Sequence, residues 1–220
     1  KVFFKDTGQV LAEIDTAVDR LGNREIVFKD LSFTIDRARV MAICRLLRGR
    51  RHGFIWRCFA TVDAVDAELL DAMRAAGCYQ ICYGFESGDD AILAASGKGT
   101  TTAQGAAAAA LTRRAGIEVA GNFMIGLVGE TEETARRTIG YALSLDLDFA
   151  QCLMACPVPG TPFYEECLAR GYRPRTVAEG RWFDMRLLED PAFPAERLRA
   201  LVAEFNLRFY GRGGYLVGRA

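Results

Sequence analysis

Histidine is almost absent from this chain, which has a single residue of that type, His52, among 220. Metal sites built on several histidines and catalytic triads that use a histidine base are therefore not expected. A surplus of charge is also absent, because 28 Lys and Arg residues balance 28 Asp and Glu residues. This balance gives no electrostatic attraction to nucleic acid, so no nucleic-acid partner is predicted.

Long hydrophobic runs are missing as well. No apolar segment approaches the roughly 20 residues that span a bilayer, so no membrane span is predicted. The first residues, KVFF, do not resemble a signal peptide, and the chain does not begin with Met. We expect it to be a fragment of a longer protein.

The seven cysteines do not form a disulfide framework by count or position. Their number is odd and most lie in apolar runs, which favours a reducing, cytoplasmic compartment. None has the spacing of an iron–sulfur cluster site. The pairs Cys78/Cys82 and Cys152/Cys156 are interpreted as core residues, and no metal ligands are predicted within the chain.

What the chain does contain is a regular alternation of strands and helices. Half of its residues are hydrophobic and a quarter are charged, as in folded domains. Short apolar runs bounded by Gly, Asp or Pro predict the strands Glu25–Phe28, Phe54–Ala60, Tyr79–Phe85, Ile117–Ile125 and Phe149–Ala155. Helical periodicity predicts the helices Thr7–Leu21, Asp36–Leu47, Asp66–Ala76, Thr102–Ala115 and Thr131–Leu145.

This alternation predicts an α/β fold with parallel strands and right-handed crossovers. The pattern fits an open doubly wound sheet or part of a barrel. Both architectures bind ligands at the carboxyl ends of their strands. Candidate functional residues are therefore sought where the predicted strands end.

The repetition stops after Gly171, so we predict a domain over residues 1–171 and a C-terminal extension over 172–220. The segment Tyr172–Pro194 is irregular and includes the aromatic residues Trp182, Phe183 and Phe193. An amphipathic helix is predicted over Ala195–Tyr210. Its inward residues are expected to be Leu198, Leu201, Val202 and Phe205.

Three charged residues stand at or near predicted strand ends. Asp30 follows the first strand and is equally consistent with binding an ammonium group or capping a turn. Glu86 ends the third strand and could accept from two vicinal hydroxyls or stabilise its own loop. Lys98, between two glycines, could bind a carboxylate or phosphate, or could simply be exposed.

The ends of the fourth and fifth strands carry different signals. Gly121–Gly126 allows the backbone to approach a flat ligand, with Met124 and Ile125 placed to sandwich a base; a buried strand with a glycine-rich turn is the alternative. The fifth strand leads to Pro157-Val158-Pro159-Gly160-Thr161, a rigid turn over the strand ends.

The order of these segments resembles the radical S-adenosylmethionine (SAM) enzymes. The resemblance is carried by eight segments: Phe28–Thr34, Val62–Asp66 before Leu69 and Leu70, Ala76–Cys78, Gly84–Gly88, Gly97–Gly99, Gly116–Val119, Gly126–Thr131 and Pro157–Thr161. It covers about residues 1 to 171. In particular the segments resemble the group with an upstream cobalamin-binding domain, which includes the anaerobic magnesium-protoporphyrin ester cyclase and the hopanoid methylase.

The resemblance implies a partial, TIM-like (β/α)6 barrel of which this chain holds strands 2 to 6. The first strand and the Cys-x-x-x-Cys-x-x-Cys loop that ligates a [4Fe–4S] cluster would lie upstream of Lys1. The implied enzyme reductively cleaves SAM to a 5′-deoxyadenosyl radical and uses it for methylation, cyclisation or rearrangement of a small molecule. Cobalamin is a further implied cofactor, and flavodoxin or ferredoxin an implied electron donor.

Roles for individual residues follow from the same resemblance. Asp30 would bind the SAM amino group, Glu86 and Asn122 the ribose hydroxyls, and Lys98 the SAM carboxylate. The implied SAM-binding set is Asp30, Glu86, Ser87, Lys98, Asn122, Met124, Gly126 and Pro157. No catalytic residue is assigned. Without the cluster thiolates, the chain alone is expected to be inactive.

Two alternatives stay open at this point. A degenerate barrel could bind SAM or a partner without radical chemistry. A different enzyme class, a redox-inert α/β barrel, could use Lys98 or Glu86 in polar catalysis and would be active in air.

Overall fold

This computed structural model describes residues 4–49, 53–174, 188–213 and 215 of the chain. Fifteen labelled helices and strands follow one another in it. They are α1 (Thr7–Asp15), β1 (Glu25–Phe28), α2 (Arg37–Arg48), β2 (Ile55–Ala60), α3 (Ala67–Ala75), β3 (Cys78–Glu86), α4 (Asp90–Ala95), α5 (Thr102–Arg114), β4 (Glu118–Ile125), α6 (Glu132–Ser144), β5 (Phe149–Met154), α7 (Pro162–Ala169), β6 (Arg173–Pro174), β7 (Leu188–Glu189) and α8 (Ala195–Tyr210).

The five predicted strands are all present, and their order in the sheet is their order in the chain, β1-β2-β3-β4-β5. The registers of β1 with β2 and of β2 with β3 are parallel. The predicted α/β fold with a parallel sheet is confirmed. Each predicted strand agrees with the observed one to within a residue at either end.

The chain divides into two compact units. The first contains Lys1–Gly84, Gln104–Ala120 and Leu147–Phe149, and the second contains Phe85–Ala103, Gly121–Asp146 and Ala150–Ala220. The predicted boundary at residue 171 separates a domain from a C-terminal extension, whereas each of these units is formed from several segments of the chain. The predicted boundary stays a prediction.

An aromatic cluster fixes β1 against β2 in the first unit. The rings of Phe28 and Phe33 lie 4.4 Å apart, and Trp56 meets Phe28 edge-on at 5.3 Å. The indole Nε1 of Trp56 donates to the carbonyl of Ala76 at 2.7 Å, so the buried ring leaves no unsatisfied donor. Rings in such geometries add about 0.5–1.5 kcal/mol beyond the area they bury.

The helices of the first unit bury the residues that periodicity indicated. Helix α2 buries Val40, Ile43, Cys44 and Leu47. Asp36 caps its N-terminus, because the Asp36 carboxylate accepts a hydrogen bond from the amide of Arg39 at 2.9 Å. The predicted helix over Thr7–Leu21 is observed as α1 followed by a π-helical turn.

In the second unit, α8 packs its aromatic residues on β4. Phe205 lies 5.3 Å from Phe123 and stacks on Phe209 at 6.1 Å. The predicted helix bounds are confirmed, but Val202 is only half-buried while Phe209 is buried. The inward stripe continues from Leu198 with steps of three and four residues, and this spacing leaves Val202 at its margin.

A small core joins α7 to the segment that follows it. Val128, Cys167, Tyr172 and Leu188 form a buried cluster. The two-residue strands β6 and β7 pair in antiparallel fashion beside it. Phe193 is buried, whereas the predicted aromatics Trp182 and Phe183 lie outside the described residues.

No helix in the described segments is both long enough and apolar enough to cross a membrane.

Candidate functional site

The turn that ends β3 holds Glu86 in an uncommon backbone conformation. Its φ angle is 63°, in the left-handed region that only a few per cent of non-glycine residues occupy. The amide of Ser87 donates to the carbonyl of Phe85 at 2.8 Å, which closes a three-residue γ-turn centred on Glu86. Such a conformation costs about 1–3 kcal/mol and persists where the surrounding structure imposes it.

Lys98 is the partner of Glu86. Its Nζ donates to Oε1 of Glu86 at 3.1 Å, and the two side chains are 22% and 21% exposed. The backbone amide of Lys98 donates to the carbonyl of Leu93 at 3.1 Å, which anchors the loop to the end of α4. The structure therefore brings together two of the predicted site residues in a partly buried ion pair.

These two side chains line a pocket of about 710 Å³ in the second unit. That volume is within the roughly 300–1,000 Å³ typical of small-molecule sites. The apolar wall includes Met124, Leu127 and Phe163. A large apolar surface with a few convergent polar groups is the composition of a ligand pocket.

Met124 is the third predicted residue in this pocket, and its position follows from the alternation of β4. The flanking residues Phe123 and Ile125 are buried on the opposite side, at 1% and 0% exposure. Because side chains alternate along a strand, Met124 faces the pocket and Ile125 does not. The expectation that both would sandwich a base therefore fails for Ile125.

The other predicted residues of the second unit take different positions, outside the pocket lining that the described residues provide. Ser87 is fully buried, and its Oγ lies 3.3 Å from Oγ1 of Thr138. Asn122 is half-buried in β4, and Pro157 is buried after β5. Gly126 has a φ of 94°, and its amide donates to the Glu130 carboxylate.

Asp30 lies in the first unit, after β1. It lines a separate pocket of about 540 Å³ with Lys29, Arg39 and other residues. The Nη1 atom of Arg39 is 3.9 Å from Oδ1 of Asp30, and the Arg39 side chain is only 10% exposed. A carboxylate in this position can accept hydrogen bonds from an ammonium group, which is the role predicted for Asp30.

Sequence reasoning missed the contribution of α7. This helix adds Phe163 and Glu166 to the pocket, and Arg170, which follows its last turn, lies with Nε 2.6 Å from Glu166 Oε1. The signal was available, since Thr161 caps the helix by accepting from the amide of Tyr164 at 3.2 Å, with Pro162 at the first helical position. Threonine before proline is a common helix start.

The cysteines are thiols in this fold rather than disulfides. Burial raises the pKa of Cys44 to about 12 and also raises the pKa of Cys152. Metal ligation needs thiolates. Among the described ranges, no three His, Cys, Asp or Glu side chains are grouped so as to hold a metal ion, and these residues do not fit an iron–sulfur cluster.

Known proteins resemble the chain in sequence. An uncharacterized methyltransferase of Pyrococcus horikoshii is 28% identical over 214 residues, which are 95% of this chain and 46% of the relative. The anaerobic magnesium-protoporphyrin IX monomethyl ester cyclase of Cereibacter sphaeroides is 32% identical, over 74% of this chain and 27% of its own length. The chain thus spans less than half of either relative.

The fold has a counterpart among solved structures. The radical SAM methyltransferase TsrM from Kitasatospora setae, solved with cobalamin and a [4Fe–4S] cluster bound, superposes with a TM-score of 0.76 at 18% identity. The alignment covers 91% of this chain and 47% of that one. The model of the radical SAM superfamily matches residues 1–142, and the chain belongs to that superfamily.

Proposed function

We propose that the protein containing this chain is a radical SAM enzyme that cleaves SAM reductively and methylates or cyclises a small-molecule substrate. The observation that carries the proposal is the pocket at the end of β3, where Glu86 and Lys98 face an apolar wall. Membership of the superfamily supports SAM as the molecule that this pocket binds.

The pocket matches the chemical parts of SAM. Adenine is flat and largely apolar, and Met124, Leu127 and Phe163 offer it a surface. Glu86 can accept hydrogen bonds from the two ribose hydroxyls, as carboxylates do in nucleotide sites. Lys98 carries the charge that a carboxylate requires. Asn122 is proposed for the ribose as well.

The iron–sulfur cluster would be ligated by cysteines other than those the structure describes. When bound, a [4Fe–4S] cluster supplies the one electron that breaks the bond between the sulfonium sulfur and C5′ of SAM. The described residues would hold SAM during that step and exclude water from the apolar wall. We further propose flavodoxin or ferredoxin as the source of the electron.

Methyl transfer is the first reaction to test. The relative that aligns with 95% of this chain is named a methyltransferase, whereas the cyclase aligns with 74%. Cobalamin is proposed as a second cofactor because TsrM was solved with it bound.

The first test is to read the coding sequence upstream of Lys1 and to express the complete reading frame without oxygen. We expect a Cys-x-x-x-Cys-x-x-Cys motif, an iron–sulfur signal in electron paramagnetic resonance, and consumption of SAM when dithionite is added. SAM binding without a cluster signal would instead support the degenerate barrel. Activity in air with no SAM binding would favour the redox-inert enzyme.

A pair of variants tests the pocket itself. Glu86→Gln and Lys98→Met should each weaken SAM binding about tenfold, the expected size for loss of one charged hydrogen bond. Arg113→Met is the matched control, because Arg113 also forms an ion pair, at 2.9 Å from Asp148, but lines neither the pocket of Glu86 nor that of Asp30. Unchanged affinity in both pocket variants would contradict the proposed SAM site.

A further inference from the structure

Helix α6 contacts three consecutive residues that follow Glu86. The amide of Gly88 donates to Oγ1 of Thr138 at 2.9 Å. The hydroxyl of Ser87 lies 3.3 Å from the same Oγ1 and accepts from the amide of Asp89 at 3.2 Å. The loop after β3 is therefore tied to α6 through one threonine hydroxyl.

Thr138 is well suited to hold this loop. It is completely buried, and its own hydroxyl can donate to the carbonyl of Thr134 at 3.3 Å. Its oxygen is then left to accept from Gly88. The Gly88 amide belongs to a half-buried residue, and the loop loses this hydrogen bond if it moves away from the helix.

Packing reinforces the hydrogen bonds. A Cβ atom added to Gly88 would lie 2.7 Å from the Arg137 carbonyl oxygen, from Thr138 Cα and from Tyr141 Cβ. Arg137 also reaches over the loop, with its Nη1 at 2.7 Å from Oδ2 of Asp89. The backbone after Glu86 thus lies directly against the helix, with no room to shift toward it.

The left-handed turn at Glu86 requires such a restraint. A non-glycine residue with φ of 63° returns to an extended or helical conformation unless its neighbours prevent it. The γ-turn has one hydrogen bond of its own, from Ser87 to Phe85. The next fixed points are Ser87 and Gly88, and both are bound to Thr138.

We propose that Thr138 is a positioning residue for the SAM site: its buried hydroxyl fixes the strained turn that aims the Glu86 carboxylate into the pocket. This inference rests on the proposed function, because Glu86 is assigned there to SAM. Thr138 touches no ligand in this scheme and acts only through the turn.

Three variants separate positioning from simple stability. Thr138→Val removes the hydroxyl while keeping the side-chain shape, and Thr138→Ser keeps the hydroxyl. Thr112→Val is the matched control, because Thr112 is also a buried helical threonine, bonded to the Tyr83 hydroxyl and to the Ala108 carbonyl at 2.8 Å each. Each variant is made in the protein expressed from its complete reading frame.

The primary measurement is the Kd for SAM by calorimetry without reductant, so that no turnover occurs. Thr138→Val should raise Kd about tenfold, whereas Thr138→Ser and Thr112→Val should stay within about twofold of the wild type. In a Glu86→Gln background, Thr138→Val should have no further effect on Kd. An equal effect in both backgrounds, or none in the wild type, overturns the inference.

Amide hydrogen exchange provides a second readout that does not depend on SAM. The peptide covering residues 85–89 should exchange at least tenfold faster in Thr138→Val and at the wild-type rate in Thr138→Ser. Unchanged exchange in Thr138→Val contradicts the inference even if SAM binds normally. A wild-type protein that does not bind SAM contradicts the proposed function, and the inference falls with it.

Discussion

Nζ of Lys98 lies 3.1 Å from Oε1 of Glu86, and each side chain is about one-fifth exposed. These two charged groups therefore neutralise each other until a ligand separates them. A ligand whose hydroxyls bind Glu86 and whose carboxylate binds Lys98 gives each residue a new partner in place of the other. Four predictions follow from this site and the helices around it.

Glu86→Gly should leave the protein at least as stable as the wild type while weakening SAM binding. Glycine adopts a positive φ without steric cost, so the strain of about 1–3 kcal/mol is relieved. The larger entropy of an unfolded glycine, about 0.5–1 kcal/mol, offsets part of that gain. We expect the free energy of unfolding, measured in urea, to be unchanged or to rise by up to about 2.5 kcal/mol. A clear decrease would mean that the turn is not strained.

Gly88→Ala, which adds a methyl group against α6, and Gly140→Ala, which adds one within α6, should have opposite effects on stability. At Gly88 the new Cβ would lie 2.7 Å from backbone atoms of α6, and overpacking of this kind costs about 1–3 kcal/mol. At Gly140, within α6, nothing lies within 4 Å, and alanine should stabilise the helix by about 0.5–1 kcal/mol. Thermal unfolding of the two variants provides the comparison, and equal shifts would contradict the packing described for Gly88.

Acid should remove the contribution of Glu132 to the contact between α6 and α8. The guanidinium of Arg197, with help from Arg136, lowers the pKa of Glu132 to about 2 from the usual 4.5. A carboxylate whose folded pKa is lowered stabilises the fold above the unfolded value, and that stability is lost as pH falls from about 4.5 toward 2. The urea midpoints of wild type and Glu132→Gln should differ at pH 7 and converge near pH 2. A difference that does not change with pH would contradict the assignment.

SAM should protect Cys156 from alkylation. Cys156 lines the pocket and is half-buried. Cys82 in β3 is also half-buried but is not part of the pocket lining, and the other five thiols are buried. We expect iodoacetamide to label Cys156 and Cys82 before the rest, because exposure limits the reaction of thiols. Added SAM should slow labelling of Cys156 alone, as measured by peptide mass spectrometry. Equal protection of Cys82 would indicate a general change of structure.

The sequence predicts the elements of this fold better than it predicts the site. Val40, Ile43, Cys44 and Leu47 recur with helical spacing, and all four are buried in α2, because helix–sheet packing follows directly from periodicity. The predicted elements omit helix α7, because the segment Pro157–Thr161 is interpreted only as a turn. Its start at Thr161-Pro162 is a local signal that the sequence does contain.

The partners of Glu86 are harder to predict, because they depend on packing between distant segments. Thr138 lies 50 residues beyond Gly88 in the chain, and no periodicity links the two. Nor does the sequence indicate a positive φ at Glu86, since Glu rarely adopts one. Exceptions to local rules are common at functional sites, where tertiary contacts outweigh residue preference.

The glycines beside Lys98 give the two halves of the ion pair unequal stiffness. Gly97 and Gly99 both have a φ of 70°, with open space around each, so the long Lys98 side chain has room to move while its backbone amide stays bonded to the carbonyl of Leu93. Glu86 has no comparable freedom. A ligand can then enter when the Lys98 side chain alone moves aside, and the fixed Glu86 carboxylate sets the orientation in which that ligand binds.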